Sequence, residues 1–106
     1  MNRQQQIDAF LLAAHRLAVD RLRAEPHRLD QVRATLARWR QQSPASRSEP
    51  YWDRWQELLD QHDIRLLEQT VCAETDQGAA LRNVSPIGSL IDPQERAALL
   101  RTARAA

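Results

Sequence analysis

Apolar side chains recur every three or four positions through most of this chain, and no stretch alternates in the manner of a strand. From Gln5 to Ala24 the apolar positions are Ile7, Phe10, Leu11, Ala14, Leu17, Ala18 and Leu22, one stripe of a first helix. Pro26 disfavours helical geometry at Glu25 while suiting a first helical turn itself, so the chain is expected to bend there. Leu29, Val32, Leu36 and Trp39 then mark a second helix to about Gln42, with a narrow, seam-like stripe. The segment SPASRSEP has prolines and serines but no apolar period, which predicts a loop over about 43–49.

Pro50 suits the opening of a third helix, with Tyr51, Trp52, Trp55, Leu58 and Leu59 on its apolar face and Asp53, Arg54, Glu57 and Asp60 opposite or flanking it. Ile64, Leu67, Val71 and Cys72 continue the period, and the pattern leaves open whether residues 50–74 form one bent helix or two. Thr75 is a suitable cap for a short helical piece through Ala79, Ala80 and Leu81. The stretch RNVSPIGSLIDPQERAALL then reads as a connector, about 84–92, followed by a helix from Pro93 to about Ala103. Asp92, Pro93 and Glu95 supply a side-chain acceptor, a first-turn proline and an acid at the positive end of the helix dipole. Gly88 is expected to supply a backbone angle closed to other residues. Ile87, Leu90 and Ile91 are expected to fasten the connector to the core, and Ala97, Leu99 and Leu100 to seat the last helix. The whole predicts one all-α domain over 1–106, a compact bundle of four to six short helices.

With 106 residues, the chain is of single-domain size. All 15 of its basic residues are arginine, and the net charge is only +1, which gives no overall attraction to nucleic acid or membrane. Charge is nevertheless segregated along the sequence. Residues 15–42 hold seven arginines against three acids, a net of +4, and residues 49–76 hold eight acids against two arginines, a net of −6. The acidic third helix is thus suited either to a basic partner or to lying against the basic second helix.

The single cysteine, Cys72, excludes an intramolecular disulfide and a cysteine-rich zinc site, and fits a reducing compartment. The N-terminus lacks the uninterrupted apolar stretch and cleavage site of a signal peptide, so a cytoplasmic location is expected. Two isolated glycines, Gly78 and Gly88, build neither common nucleotide-binding loop. His15, His27 and His62 fall on different segments without a second ligand at helical spacing, and no metal or other cofactor is expected. Cys72 beside Val71 reads as a small hydrophobe, and carboxylate pairs such as Asp60/Asp63 and Asp53/Glu57 read as solvated, so no catalytic residue is assigned and an enzyme is not expected.

Two binding chemistries remain. Trp39, Trp52 and Trp55 at helical spacing suit a core, and Tyr51 is the aromatic closest to the surface; Trp52 and Tyr51 also suit a protein interface. Arg21, Arg28, Arg33 and Arg40 could meet phosphates, with Arg33 and Arg40 as the residues assigned to nucleic acid, but Asp20, Glu25 and Asp30 are interleaved with them.

Three pieces, AHRLAVDRLRAEPHRLDQVRATLARWR, PYWDRWQELLD and LRNVSPIGSLIDPQERAALLR, resemble a family of short helical proteins from GC-rich bacterial genomes. Arg82, Ser85, Pro86, Leu90, Pro93, Glu95 and Arg96 match its C-terminal pattern, while Ile87 and Gly88 replace a Phe-Ala-type pair and Ala97 stands where tryptophan is common. The resemblance implies a non-enzymatic antitoxin-type or accessory protein that binds and restrains a toxin-like protein encoded by an adjacent gene. The candidate contacts for such a partner are Arg82, Ser85, Pro86 and Arg96 of the matching pattern, together with Tyr51, Trp52 and the acidic face of the third helix, which the aromatic and charge patterns supply. The alternatives are a DNA-binding transcriptional regulator and a dimeric adaptor, the latter because the seam on the second helix also suits a homodimer.

Overall fold

Asn2 opens the first helix, its side chain accepting from the Gln5 backbone N–H at 2.8 Å while the Gln5 side chain accepts from the Asn2 backbone N–H at 3.0 Å. The computed structural model describes residues 2–105. Helix α1 runs Arg3–Ala24, and after the bend at Glu25 a 3-10 turn, Pro26–Arg28, leads into α2, Leu29–Gln42. The loop that follows places Ala45 in the left-handed region (φ 60°) before α3, Glu49–Asp60, which starts with Pro50 in its first turn.

Residues 50–74 form two helices rather than one. His62 adopts a left-handed backbone (φ 53°), which stops α3, and the Asp63 carboxylate accepts from the Leu66 N–H at 3.0 Å to start α4, Ile64–Val71. The Thr75 hydroxyl accepts from the Gly78 N–H at 3.0 Å and caps α5, Asp76–Asn83. The connector contains a 3-10 turn, Ile87–Leu90, and ends in a reciprocal cap: Glu95 N–H donates to Asp92 at 2.8 Å and Asp92 N–H to Glu95 at 3.0 Å. Helix α6 then runs Pro93–Ala105.

These six helices make a compact all-α bundle with a radius of gyration of 13.6 Å, close to the roughly 13 Å expected for a folded chain of about 100 residues. Helix α1 is the spine, packed by α4, α5, the connector and α6, while α2 lies on α3. The main core joins Val19 and Leu22 of α1 to Leu29, Val32 and Leu36 of α2, and takes Trp52, Trp55, Leu58 and Leu59 from α3. Leu67, Val71, Leu81, Ile87 and Leu90 close it, so the connector is fastened as its sequence predicts. Trp55 is fully enclosed, and its indole N–H donates to the Leu81 carbonyl at 2.9 Å, which satisfies the one polar atom that burial would otherwise strand. A smaller cluster of Phe10, Ala14 and Ala103, with Leu99 and Leu100 half-buried beside it, holds α6 on α1, and Ile91 touches both clusters.

Several expectations change. Ile7 is 41% exposed although it lies on the predicted stripe of α1, because α6 does not cover it. Ala97 is exposed, and Ala103 makes the contact instead, one turn beyond Leu99 and Leu100. Gly88 does not adopt a positive φ, and a methyl group there would meet nothing within 4 Å. The required glycine is Gly78, where a Cβ would sit 2.3 Å from the Ala73 carbonyl oxygen.

The segregated charge closes on itself. Arg33 reaches Asp60 at 2.8 Å, and Arg40 bridges Glu49 at 2.8 Å and Asp53, so basic α2 and acidic α3 are laid side by side. These pairs are substantially exposed and contribute about 0–1 kcal/mol each, less than the roughly 1.5–3 kcal/mol from burying a single leucine. Their value is orientation more than stability. No described helix is long and apolar enough to cross a membrane.

Candidate functional site

The connector brings residues from three separated segments to one face. Arg82 near the end of α5, Ser85 in the connector and Arg96 in the first turns of α6 border a cleft of about 170 Å³, with Phe10 and His15 of α1 and Ile91 as further walls. Pro86, next to Ser85 in the chain, is fully buried and does not line the cleft. Tyr51, exposed at the start of α3, and Trp52 lie elsewhere and do not line this cleft.

The geometry of the connector depends on Arg21, which the apolar pattern gives no reason to single out. Its guanidinium donates to the Leu90 carbonyl at 2.7 Å and makes a two-pronged contact with Glu95 at 2.6 and 2.7 Å. One side chain of α1 thereby fixes the end of the connector and the start of α6. The paired guanidinium, helped by the Asp92 backbone N–H, holds the Glu95 carboxyl at about 2. Ser85 accepts from the Ile87 N–H at 3.2 Å, and the Ser89 hydroxyl donates to the Pro86 carbonyl at 3.0 Å, which rounds the connector into its 3-10 turn.

Each cation at the cleft is held differently. Arg82 is only 6% exposed; its guanidinium donates to the Val71 carbonyl at 2.8 Å and the Ala73 carbonyl at 2.7 Å. It thus serves the negative, C-terminal end of α4, where a cation is favoured and free carbonyls need donors. The same Ala73 carbonyl is the one that a side chain at Gly78 would strike, so Arg82 and Gly78 together seat α5 on α4. Arg96 is exposed, with its guanidinium carbon 5.2 Å from the Phe10 ring centroid, a cation–π arrangement that keeps the charge at the rim of the cleft.

His15 is 2% exposed and lies 6.4 Å from Trp55, ring centre to ring centre. Its Nδ1 is 2.7 Å from the Leu11 carbonyl, and since a carbonyl can only accept, Nδ1 carries the proton. Nε2 is left as an acceptor with no protein donor. Burial, partly opposed by the Leu11 bond and reinforced by the Arg82 charge, pushes the imidazole down to about 4.

The other residues singled out from the sequence are engaged inside the fold. Trp52 is 8% exposed and stacks obliquely on Trp39, with ring centres 6.3 Å apart. Arg33 and Arg40, the residues assigned to nucleic acid, sit in the ion pairs with α3, and the acidic face of α3 is correspondingly occupied. Cys72 packs half-buried against the main core, where burial and the nearby Glu68 push its thiol up. Among the described residues no three His, Cys, Asp or Glu side chains are grouped to hold a metal ion.

The chain matches no protein-family model, no curated protein and no solved structure.

Proposed function

We propose that this is an antitoxin-like binding protein, one that acts by holding another protein through the face formed by α1, the connector and α6. The observation that carries this reading is the convergence of Arg82, Ser85 and Arg96, distant in sequence, on a single cleft whose shape is set by Arg21 and Glu95. The resemblance of the C-terminal segment to short bacterial antitoxin-type proteins points the same way, since the matching residues Arg82, Ser85, Pro86, Glu95 and Arg96 either border the cleft or build it. In this arrangement Arg96 and Ser85 make the contact, and Arg82, Pro86 and Glu95 shape the surface from behind. The acidic face of α3 has a smaller part than its sequence suggests, because Arg33 and Arg40 already neutralise much of it.

Co-expression with the products of adjacent genes, followed by affinity capture of this chain, tests the reading. One neighbour is expected to be retained, and a Ser85→Glu/Arg96→Glu variant with unchanged circular dichroism is expected to lose it by at least about tenfold in affinity, as removal of a central interface contact does. Failure to retain any neighbour, or retention indifferent to the double substitution, overturns it.

A further inference from the structure

A groove of about 470 Å³ runs between the first half of α1 and the second half of α6, floored by Ile7, Phe10, Leu100 and Ala103 and rimmed by Arg3 and Arg104. It adjoins the cleft described above, with Phe10 as the common wall. From the apolar floor and basic rim we infer that this groove is the docking site for an acidic amphipathic helix of a protein partner, with a large apolar side chain in the groove and carboxylates against the arginines. The inference rests on the reading of the chain as a protein-binding module and supplies the chemistry of what it binds.

Three observations carry it. Ile7, at 41% exposure, is one of two large hydrophobic side chains left exposed among the described residues, and it stands at the groove. The other, Tyr51, is on α3. Burial of an aliphatic side chain of this kind is favourable, and the concave site between two helices suits the helix-in-groove mode of recognition.

The second observation is the charge at this corner. Arg3 and Arg104 at the groove, and Arg96 at the adjoining cleft, form no ion pair among the described residues. The third is the placement of the nearby acids. Glu95 is taken by Arg21, Asp92 caps α6, and Asp8 lines a different cleft with Glu74 and Arg16. Among the described residues no carboxylate lines the groove. The described lining is therefore positive, which selects an acidic partner and speeds its approach.

The concavity also selects among anionic surfaces. A nucleic acid would satisfy Arg3 and Arg104 but would leave Ile7 and Leu100 without apolar contact, and a lipid surface is too flat to enter the groove. A second copy meeting this face with its own would set Arg3 and Arg104 against like charges, and one offering Tyr51 would do so from a helix whose neighbouring acids are already paired with Arg40.

The test uses the full chain, ¹⁵N-labelled, with three synthetic helical peptides: an amphipathic one with leucines on one face and glutamates flanking them, the same with lysine for glutamate, and a glutamate-rich scramble without an apolar face. The acidic amphipathic peptide is expected to bind, to shift the amides of Ile7, Phe10, Leu100 and Arg104, and to weaken with salt. The other two are expected to bind at least about tenfold more weakly. An Arg3→Glu/Arg104→Glu variant is expected to reverse the preference between glutamate and lysine peptides, and Ile7→Gln to weaken the acidic peptide without altering its salt dependence. Equal binding of the scramble, shifts confined to other surfaces, self-association that protects these amides, or tighter binding to anionic vesicles or to DNA overturns the inference. Because wild-type mapping needs no variant, misfolding of a substituted chain leaves the result intact. Capture of a neighbour by wild-type and groove-variant chains alike sinks the groove while sparing the proposed function; peptide binding without any captured neighbour does the reverse.

Discussion

At the residue scale, the two glycines show how far identity alone can mislead. A glycine in a Ser-Pro connector reads as a conformational necessity, yet Gly88 has an ordinary backbone and open space around it; Gly78, inside a helix, is the one whose missing side chain matters. Gly88→Ala is expected to be neutral or to stabilise by about 0.4–1 kcal/mol through the unfolded chain. Gly78→Ala is expected to cost about 1–3 kcal/mol, because the obstructing atom is a backbone carbonyl that Arg82 also holds. Urea unfolding of the two variants beside the parent checks both, and equal effects would remove the account of the α4–α5 contact. The role of Arg82 was legible only as part of a motif, since nothing in the local sequence shows that a guanidinium at this position turns inward to the end of a helix eleven residues earlier.

At the scale of elements, helix starts were the most readable feature. Asp92 with Glu95 and Thr75 before Gly78 both cap as their spacing predicts, because a side-chain acceptor and its N–H donor are three residues apart and need no tertiary information. The division of residues 50–74 was not readable, since it depends on one left-handed residue, His62; histidine is enriched in that conformation but adopts it far less often than helical or extended geometry, so its presence does not fix a break. Helix α6 is seated by a small cluster and by the Arg21–Glu95 contact rather than by the main core. Arg21→Met is accordingly expected to speed amide exchange in α6 by about tenfold or more, the loss of charged hydrogen bonds to Leu90 and Glu95 being its cause, while amides of Trp55 to Leu59 keep their protection relative to global unfolding. Native-state exchange measured by NMR decides this, and an unaltered α6 would mean that its apolar contacts alone hold it.

For the molecule as a whole, charge segregation in the sequence offered the lateral pairing of α2 and α3 as one of two uses without choosing it over a basic partner, and the burial of His15 was invisible, because a polar residue among apolar ones gives no sign of which way it turns. The consequence is a global one. The unfolded chain binds a proton at His15 with a pKa near 6.5, and the folded chain resists it down to about 4, so stability is complete above the higher value and is lost as pH falls between the two. The loss from this residue is about 3 kcal/mol on full protonation, and the Glu95 pair acts mainly below that window, because its contribution starts to fall only as the unfolded carboxyl takes up a proton near 4.5 and is gone once the folded one does so near 2. His15→Leu is expected to flatten the dependence of unfolding free energy on pH between 7 and 5, and an undiminished slope in that variant would assign the effect elsewhere. Trp55 adds a final consequence. Its indole is shut away with its N–H on the Leu81 carbonyl, so in a chain with Trp39 and Trp52 replaced by phenylalanine the fold carries an optical gauge of its own closure: a soluble quencher such as acrylamide gains the remaining ring when α5 lifts from α3, and the emission then reports that parting without any attached dye.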